Sequence, residues 1–555
     1  MNTSIGNQIA ISYRHLLSEV NRDPSADTYG CFDRRYWAWK MADFPEATFQ
    51  RNVSALAWFM QSDLSVVFSQ TGPEIIKAAL AFTFKIQHRD GSFDQAYPQE
   101  HSFGATGFLL PDLLSAYTKI KPDCTPQESL LFESGLRKAA IFLEKNSEQH
   151  SLISNHLAGA ALGLFGAGEL FQEKKFTAKA EELLASILNG QSREGWFPEY
   201  GGADPGYQTL CMHYLAQIYR MHPSGFLHAA LEKSLAFLKY FAHPDGTFGG
   251  EYGSRRTEVY YPGGIALLAD EFLDAKVLNN FMHSSIETGR TVTLADIDMG
   301  NTAPLLNSYI MAYGSAAARD ARLTIPFQQT NLDMDFHEAG ICVRAREKYY
   351  LIVGASNGGV VKIFDKACGK LVVDDCGIFG LTENKMKITT QSTHLDNSLR
   401  ISDNEIECDS QFYPIKDTIP SPFNYLILRL LNLTVMRVNF INELIKKVMV
   451  SVLVENKKTI SIRRKRIVTV NSDSIRISDM INNKSHLLIK KMIQGFKFTA
   501  IHMASARYFT PAQEKISKIR LIDCDSFNIK GTTTADYFVE FPEGVSERGK
   551  RDSNQ

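Results

Sequence analysis

The spacing of apolar residues changes abruptly near residue 326. Before this point, stretches such as Ser154–Phe171 place apolar residues at i, i+3, i+4 and i+7, which is the period of an amphipathic helix. After it, short β-branched and aromatic runs such as Tyr349–Val353 and Val360–Phe364 are separated by turn residues, as in antiparallel strands. The sequence therefore predicts an α+β multidomain protein, with a helical domain at 1–326 and a β domain at 327–555.

The helical half is repetitive. The segments Gln87–Phe93, Gln191–Phe197 and Pro244–Phe248 each end a helix with a glycine followed by an aromatic residue. Their glycines, at positions 91, 195 and 246, are separated by 104 and 51 residues, which gives a period of about 52, and a weaker copy lies at Lys145–Gln149. Helix pairs that repeat at this interval are typical of a stacked or ring-closed helical array.

The repeat also predicts a site. A shift of 51 residues takes His156 to Tyr207, and a second shift reaches the turn at Glu258–Tyr261. A shift back by 52 residues reaches His101–Thr106. Because equivalent positions in a helical ring lie at the same end, we expect one polar mouth formed by His101, Asn155, His156, Tyr207, Arg255, Glu258 and Tyr260.

The chemistry of these residues suits a carboxylate substrate. Asn155 and His156 begin a helix, where free N–H groups and an amide donor attract anions. Tyr207 is a phenol that a neighbouring cation can turn into a base. Together they would neutralise a carboxylate and remove the proton α to it, as in β-elimination from a uronic acid or in C5 epimerisation. Glu199 is expected to contact substrate, and its pairing with Asp204 in a Gly-rich loop leaves a glycosidase as an alternative.

The order of these features resembles the heparinase II/III-like polysaccharide lyases and related uronate epimerases. This resemblance implies an N-terminal α/α toroid (an incomplete helical barrel) followed by a C-terminal antiparallel β-sandwich, with Asn155, His156 and Tyr207 as catalytic residues. The family's β domain usually adds a histidine, which the corresponding segment Ala355–Asp365 lacks. Three residues remain candidates to replace it: Lys362, His337 and His394.

The glycine-aromatic turns also resemble those of terpenoid cyclases. The acidic motifs of those enzymes are missing, so a cyclase-like toroid protein is the less favoured alternative. No cofactor is expected, and no metal is expected because no His/Asp cluster has ligand spacing and no C-x-x-C pair is present.

Charge is concentrated in one region. The whole chain has a net charge of −1, whereas residues 421–500 contain fifteen basic and four acidic residues, a local charge of +11. Such a stretch would attract an acidic polysaccharide, or an anionic membrane surface on which the apolar run Tyr425–Val438 would lie. The alternative is that this stretch forms a solvated outer face of a β sandwich with one packed helix. Nucleic acid is not expected, because neither aromatic interleaving nor a recognised module is present.

The N-terminal sequence has no basic segment followed by an apolar run, so we expect a cytoplasmic protein, peripheral at the membrane if the basic stretch binds there. Two functions follow. The first is a lyase or epimerase acting on uronic-acid-containing polysaccharide in surface-polysaccharide metabolism. The second is a non-catalytic glycan-binding or assembly factor in the same process.

Overall fold

The computed structural model describes residues 4–64, 68–147, 153–314, 324–391, 397–415, 421–437, 445, 459–485, 487–495 and 520–541. The helices of the first part are α1 (Ile5–Glu19), α2 (Arg34–Trp37), α3 (Asn52–Gln61), α4 (Phe68–Lys85), α5 (Phe103–Ile120), α6 (Pro126–Lys145), α7 (Ser154–Phe171), α8 (Lys174–Asn189), α9 (Pro205–Met221), α10 (Gly225–Leu238), α11 (Pro262–Leu268), α12 (Leu273–Glu287) and α13 (Met299–Ala312). The described residues contain no helix that is both long enough and apolar enough to cross a membrane.

Alternate helices form an inner ring. Along the order α3, α5, α7, α9, α11 and α13 each helix contacts the next, and α13 packs against α3. Helices α4, α6, α8, α10 and α12 lie outside, so the helical part is an α/α toroid. The small residues of α7 have a packing role: a Cβ on Gly159 or Gly163 would come within about 3 Å of side chains on α5.

The repeated turns hold this ring together. Gly91, Gly195 and Gly246 have φ values of 97°, 99° and 92°, a conformation that favours glycine. A Cβ at Gly91 would lie 2.0 Å from a backbone oxygen of α6, so no side chain fits there. The amide of Gln87 donates to the carbonyl of Gly91 and to that of Gly135 on α6, and Gln191 makes the equivalent pair of bonds. The weaker copy at Lys145–Gln149 lies partly outside the described residues.

The second part consists of two antiparallel sheets. The strands are β1 (Asn331–Phe336), β2 (Ile341–Arg346), β3 (Tyr349–Gly354), β4 (Val360–Asp365), β5 (Lys370–Asp375), β6 (Ile378–Thr382), β7 (Lys387–Thr389), β8 (Ser398–Ser402), β9 (Glu405–Pro414), β10 (Ile460–Val470), β11 (Ser474–Asn483), β12 (Ile489–Gln494), β13 (Arg520–Leu521) and β14 (Thr532–Glu540), with helices α14 (Pro422–Leu433) and α15 (Cys524–Lys530). One sheet has the order β1-β2-β3-β4-β5. The other has the order β13-β12-β6-β7-β9-β10-β11-β14, with β8 beside β9. This architecture confirms the predicted fold class.

Two residues of the basic run Arg463–Arg466 are buried. Residues Arg463–Arg466 lie inside β10, and Arg464 and Arg466 are 0% and 1% exposed. Alternate residues of a strand point to opposite faces, so these two arginines share the inward face. Arg466 contacts both Asp375 and Asp479, at 2.5 and 2.7 Å, and Arg464 contacts Asp479 at 2.9 Å. The expectation of a wholly solvated run is therefore wrong for these two residues. We call Asp375, Arg464, Arg466 and Asp479 the sheet cluster.

The rest of the basic stretch is only partly described, because residues 438–444, 446–458, 486 and 496–500 lie outside the described residues. Within it, α14 turns an apolar face outward, with exposed side chains at Phe423, Tyr425, Leu426, Leu430 and Leu433. Membrane contact through this stretch stays a prediction.

The two parts of the chain meet along the repeated turns of the toroid. The guanidinium of Arg193 contacts the carboxylate of Glu338 at 2.7 Å. The backbone N–H groups of Glu338 and Ala339 donate to the carboxylate of Glu194. These contacts fix the β1–β2 turn against the same end of the toroid that carries the glycine-aromatic turns.

Candidate active site

The N-termini of two neighbouring inner helices position the predicted catalytic residues. Asn155 lies in the first turn of α7, where the preceding residues pair with the 198–199 segment. Asp204 caps α9 by accepting a hydrogen bond from the backbone N–H of Tyr207 at 2.9 Å. The same carboxylate accepts from the backbone N–H groups of Arg255 and Thr257, so one buried aspartate ties the start of α9 to the 255–257 loop.

A connected set of polar side chains results. The amide of Asn155 donates to one carboxylate oxygen of Glu199 at 2.7 Å, and the guanidinium of Arg255 lies 3.4 Å from the other. Arg255 also donates to the phenol oxygen of Tyr207 at 3.3 Å. We call Asn155, Glu199, Asp204, Tyr207 and Arg255 the mouth cluster. The sequence predicted Asn155, Tyr207, Arg255 and Glu199 as site residues, and the structure brings these four together.

The electrostatics of the mouth cluster are set first by burial, which disfavours the charged form of each acidic group. Burial raises the pKa of Glu199 to about 7, and the nearby charges of Arg255 and His156 offset this only in part. Burial also raises the pKa of Asp204, against its hydrogen bonds from backbone N–H groups. The pKa of Tyr207 is raised by burial as well, while Arg255 acts to lower it. One guanidinium thus contacts a carboxylate and a phenol, while Asp204 is held by backbone N–H groups, and Glu199 is poised to exchange a proton near neutral pH.

The backbone around Arg255 is strained. Tyr200 and Arg256 have φ values of 53° and 59°, in the left-handed region that residues with a Cβ rarely adopt. The Arg255 guanidinium lies 4.1 Å from the ring centre of Tyr200 and 4.5 Å from that of Tyr207. The strained loops therefore clamp this cation between two aromatic rings, beside the phenol that it would activate.

His156 lies beside the mouth cluster on α7. Its ring packs edge-on against Phe108 at 5.1 Å, and a Cβ on Gly104 would come within 2.8 Å of Nδ1. A glycine at position 104 is therefore needed to make room for the imidazole. The charge of His156 is close enough to affect the pKa of Glu199, which places the histidine near the carboxylate.

Three predicted residues, His101, Tyr260 and Glu258, do not join this cluster. His101 turns toward its own loop, where its Nδ1 lies 2.8 Å from both Ser92 and Asp90 and its ring stacks on His88. Tyr260 is 1% exposed and packs against Phe248, which leaves it no surface with which to contact a substrate. The expectation that all seven repeat-related residues meet at one mouth is therefore too broad.

Glu258 instead belongs to a buried ion cluster between toroid and β domain. The ammonium of Lys362 lies 2.7 Å from Glu251, 3.4 Å from Asp374 and 3.5 Å from Glu258. Burial opposes the charged ammonium, but the carboxylates outweigh it and hold the pKa of Lys362 well above its usual range. Lys362 is thus bound to three carboxylates rather than presented to a ligand.

The other two candidates for the missing histidine are placed differently. His337 is exposed in the β1–β2 turn, next to the contacts of Glu338 with the toroid. His394 lies outside the described residues. The sequence also missed one group of ligand-type residues: side-chain atoms of Glu251, Asp374 and Cys376 lie within 4.8 Å of one another, and the Lys362 ammonium already contacts two of these residues.

The sequence and the fold are both similar to those of known polysaccharide lyases. Residues 74–265 match the sequence model of the ulvan lyase N-terminal domain, a range that contains the whole mouth cluster. The chondroitin AC lyase of Streptomyces coelicolor, solved in complex with chondroitin sulphate, superposes with a TM-score of 0.55 at 9% identity, over 88% of this chain and 67% of that one. Heparinase III gives a TM-score of 0.50 at 11% identity, over 89% and 72%. The fold is that of the heparinase-like polysaccharide lyases.

Other comparisons set the limits of this likeness. A xanthan lyase of Paenibacillus has a TM-score of 0.54 at 10% identity, over 88% of this chain, which spans only 46% of that enzyme. A search of curated protein sequences finds no match.

The sequence also offered a sign of the capping role of Asp204, which the prediction missed. An Asp directly before a proline such as Pro205 is a common helix cap, and here it fixes the start of α9.

Proposed function

We propose that this chain is a polysaccharide lyase that acts on a uronic-acid-containing polymer, with Tyr207 as its acid–base residue. The observation that carries the proposal is the 3.3 Å contact between the Tyr207 phenol and the Arg255 guanidinium. Beside it, the amide of Asn155 donates a hydrogen bond to the carboxylate of Glu199. The ulvan lyase match over residues 74–265 supports the reaction class.

The carboxylate of Glu199 illustrates how substrate would bind. It accepts a hydrogen bond from Asn155 and faces Arg255, which are interactions that a uronate carboxylate would also seek. In the proposed reaction, Asn155 and His156 neutralise the uronate carboxylate, which lowers the free energy of the carbanion-like state at C5. Glu199 accepts a proton as the substrate arrives, because two adjacent carboxylates cannot both stay ionised in a buried site.

The chemical step is a β-elimination. Tyr207, as phenolate, removes the proton at C5, the C4–O bond breaks and a 4,5-unsaturated uronate forms. The Tyr207 phenol then donates that proton to the leaving oxygen and returns to phenolate. Burial raises the pKa of Tyr207, so the resting side chain is a phenol, and Arg255 stabilises the phenolate needed for reaction. At saturating substrate, where Glu199 already holds its proton, the rate should therefore rise with pH through the neutral range, as the phenolate fraction grows.

The direct test is ultraviolet absorbance of the unsaturated uronate after incubation with ulvan, chondroitin sulphate, xanthan and polygalacturonate. Wild type should produce absorbance on at least one polymer, and Tyr207→Phe should lose at least about 100-fold in rate. Tyr219→Phe is a matched control on the same helix, because its hydroxyl contacts Glu271 rather than the mouth cluster. Equal rates for wild type and Tyr207→Phe would contradict the proposal.

A second candidate is the non-catalytic glycan-binding factor. Two observations favour it. Asn155 is fully buried and its amide is already bound to Glu199, and Lys362 is bound to Glu251 and so cannot replace the family's histidine. Solvent-deuterium incorporation at C5 separates these functions: incorporation without absorbance indicates an epimerase, and neither signal with measurable polymer binding indicates a binding factor. A role in surface-polysaccharide metabolism on the cytoplasmic side belongs to the same proposal, and finding the protein secreted would contradict that location.

A further inference from the structure

A cavity lies at the end of the toroid opposite the mouth cluster. Its volume is about 650 Å³, and its walls come mainly from the C-terminal halves of α5, α7, α9 and α13. On α9 the wall begins at His213, almost two turns beyond Tyr207. Cavities of this size are common for small-molecule binding sites. We call it the far cavity.

A single layer of side chains separates the far cavity from the mouth. Arg51 donates to the carboxylate of Asp112 at 2.7 Å and to the phenol of Tyr214 at 2.9 Å, and both of these residues line the cavity. Phe108 stacks on Tyr214 at 5.7 Å and contacts His156 at 5.1 Å on its other side. The far cavity is therefore a distinct site and not an extension of the proposed active site.

The floor of the far cavity is polar and well ordered. Asp112 accepts hydrogen bonds from Arg51 and from the amide of Asn307 at 2.9 Å, which occupy only part of its four acceptor positions. His213 is buried, and within the described part of the chain its Nδ1 has no hydrogen-bond partner. Burial lowers the pKa of His213 to about 3, so its imidazole is neutral and offers both a donor and an acceptor.

The side walls and rim narrow the choice of ligand. Trp58, Leu162 and Met311 supply an apolar wall. Lys119 and Glu169 add one positive and one negative charge nearer the rim, and Asp112 on the floor is balanced by Arg51. These charges sum to zero, so the lining offers no net attraction to a ligand of either sign. The lining thus favours a neutral molecule with several hydroxyls and one apolar face.

We propose that the far cavity binds a neutral saccharide unit, with its apolar ring face on Trp58 and its hydroxyls on Asp112, Asn307 and His213. A pyranose ring matches this lining, because one of its faces carries C–H groups while its edges carry donors and acceptors. The assignment does not depend on catalysis at the mouth, and its test measures binding alone.

The experiment is isothermal titration calorimetry of the full chain with D-glucose, D-galactose, L-rhamnose and cellobiose. Met311→Trp would fill the cavity, and Leu131→Trp on the exposed side of outer helix α6 is the matched control. We expect saturable binding of at least one neutral probe to wild type and to Leu131→Trp, weakened at least tenfold in Met311→Trp. Gln217→Trp, nearer the rim, serves as the second blocking variant if Met311→Trp does not fold.

Three results would overturn the proposal. They are no saturable binding of any neutral probe, equal binding in the blocked variants and wild type, or tighter binding of D-glucuronate or D-glucosamine than of the neutral sugars. Tyr207→Phe should bind the neutral probe as wild type does. Binding to the far cavity would therefore remain measurable even if the lyase proposal failed.

Discussion

The mouth cluster and the sheet cluster are built from the same kinds of groups but behave in opposite ways. Both are buried, and both pair guanidinium groups with carboxylates. In the sheet cluster two arginines face two aspartates. The mouth cluster has one arginine for a glutamate and an aspartate: its guanidinium contacts Glu199, and Asp204 is held by backbone N–H groups. The ratio of cations to carboxylates therefore differs by a factor of two.

This difference decides the protonation of each cluster. Burial opposes ionisation of Asp375, but Arg466 and Arg464 outweigh it and hold its pKa below the usual range, and the same arginines lower the pKa of Asp479. At the mouth, burial prevails and the pKa of Glu199 rises to about 7. A balanced cluster is locked in one charge state, whereas an unbalanced cluster exchanges protons at neutral pH. The first suits structural support, and the second suits acid–base chemistry.

The largest expected effect on stability comes from removing one of the two arginines that balance the aspartates of the sheet cluster. Arg466→Met would give it the ratio of the mouth cluster, leaving two buried aspartates for Arg464. We expect a loss of about 3–5 kcal/mol in the free energy of unfolding at pH 7, because a buried charge loses its partner. Part of this loss should be recovered at pH 5, where an aspartate with a raised pKa takes up a proton. Urea denaturation at the two pH values measures both effects.

The neighbouring residue provides the control for this prediction. Lys465 is on the opposite face of β10 and pairs with Glu407 at 2.8 Å in a half-exposed site. Lys465→Met should change the free energy of unfolding by less than about 1 kcal/mol. If Arg466→Met and Lys465→Met lost similar amounts of free energy of unfolding, burial of the sheet cluster would have little energetic consequence.

The next effect concerns the stability of the mouth cluster at different pH values. The pKa of Glu199 is about 7 in the folded chain, against an ordinary 4.5, so folding favours the protonated carboxyl. Wild type should therefore lose stability from this group as the pH rises from 4.5 through 7, by on the order of 3 kcal/mol in total. Glu199→Gln keeps the shape without the charge and should lack this loss.

The measurement is the free energy of unfolding of wild type and Glu199→Gln at pH 5 and pH 8. The variant should gain stability relative to wild type at pH 8, and the two should be close at pH 5. Other buried carboxyls such as Asp204 contribute to both proteins and cancel in the difference. A constant difference between the two proteins across this range would contradict the unbalanced-charge explanation.

The smallest effect tests the residue that the repeat placed at the mouth and the structure places in the core. The Tyr260 hydroxyl is buried and has no hydrogen-bond partner in the described part of the chain. Tyr260→Phe removes an unsatisfied buried hydroxyl and should therefore raise the free energy of unfolding, by about 1 kcal/mol. It should leave KM for the polysaccharide within about twofold of wild type. A large rise in KM would show that Tyr260 contacts the substrate and would contradict its placement in the core.

Sequence reasoning reached the parts of this structure that rest on periodicity. The 52-residue interval and the glycine-aromatic turns predicted a stacked or ring-closed helical array, since both follow from local helix packing, and the resemblance to the heparinase II/III-like lyases implied the toroid. The same register brought Asn155, Tyr207 and Arg255 to one site because equivalent helix starts share an end. It overreached at His101 and Tyr260, whose side-chain directions depend on individual turns and not on the repeat.

Burial of charge was the harder problem. Arg464 and Arg466 follow the alternation of Ile462, Val468 and Val470 along β10, so their inward direction could have been inferred from the strand period. Their partners could not, because Asp375 is 91 residues from Arg466 in the sequence. Glu199 was expected to contact substrate, but its bond to Asn155 depends on how a loop folds back across the start of α7.

The most direct test of this account is the protonation state of Glu199. Infrared difference spectra between wild type and Glu199→Gln, recorded from pH 5 to 9 on protein with isotope-labelled glutamate, isolate its carboxyl band. The account predicts a protonated carboxyl at pH 5 that converts to carboxylate with a midpoint near pH 7. A carboxylate band already complete at pH 5 would show that Arg255 balances the mouth cluster after all, and would contradict the proposed distinction between the two clusters.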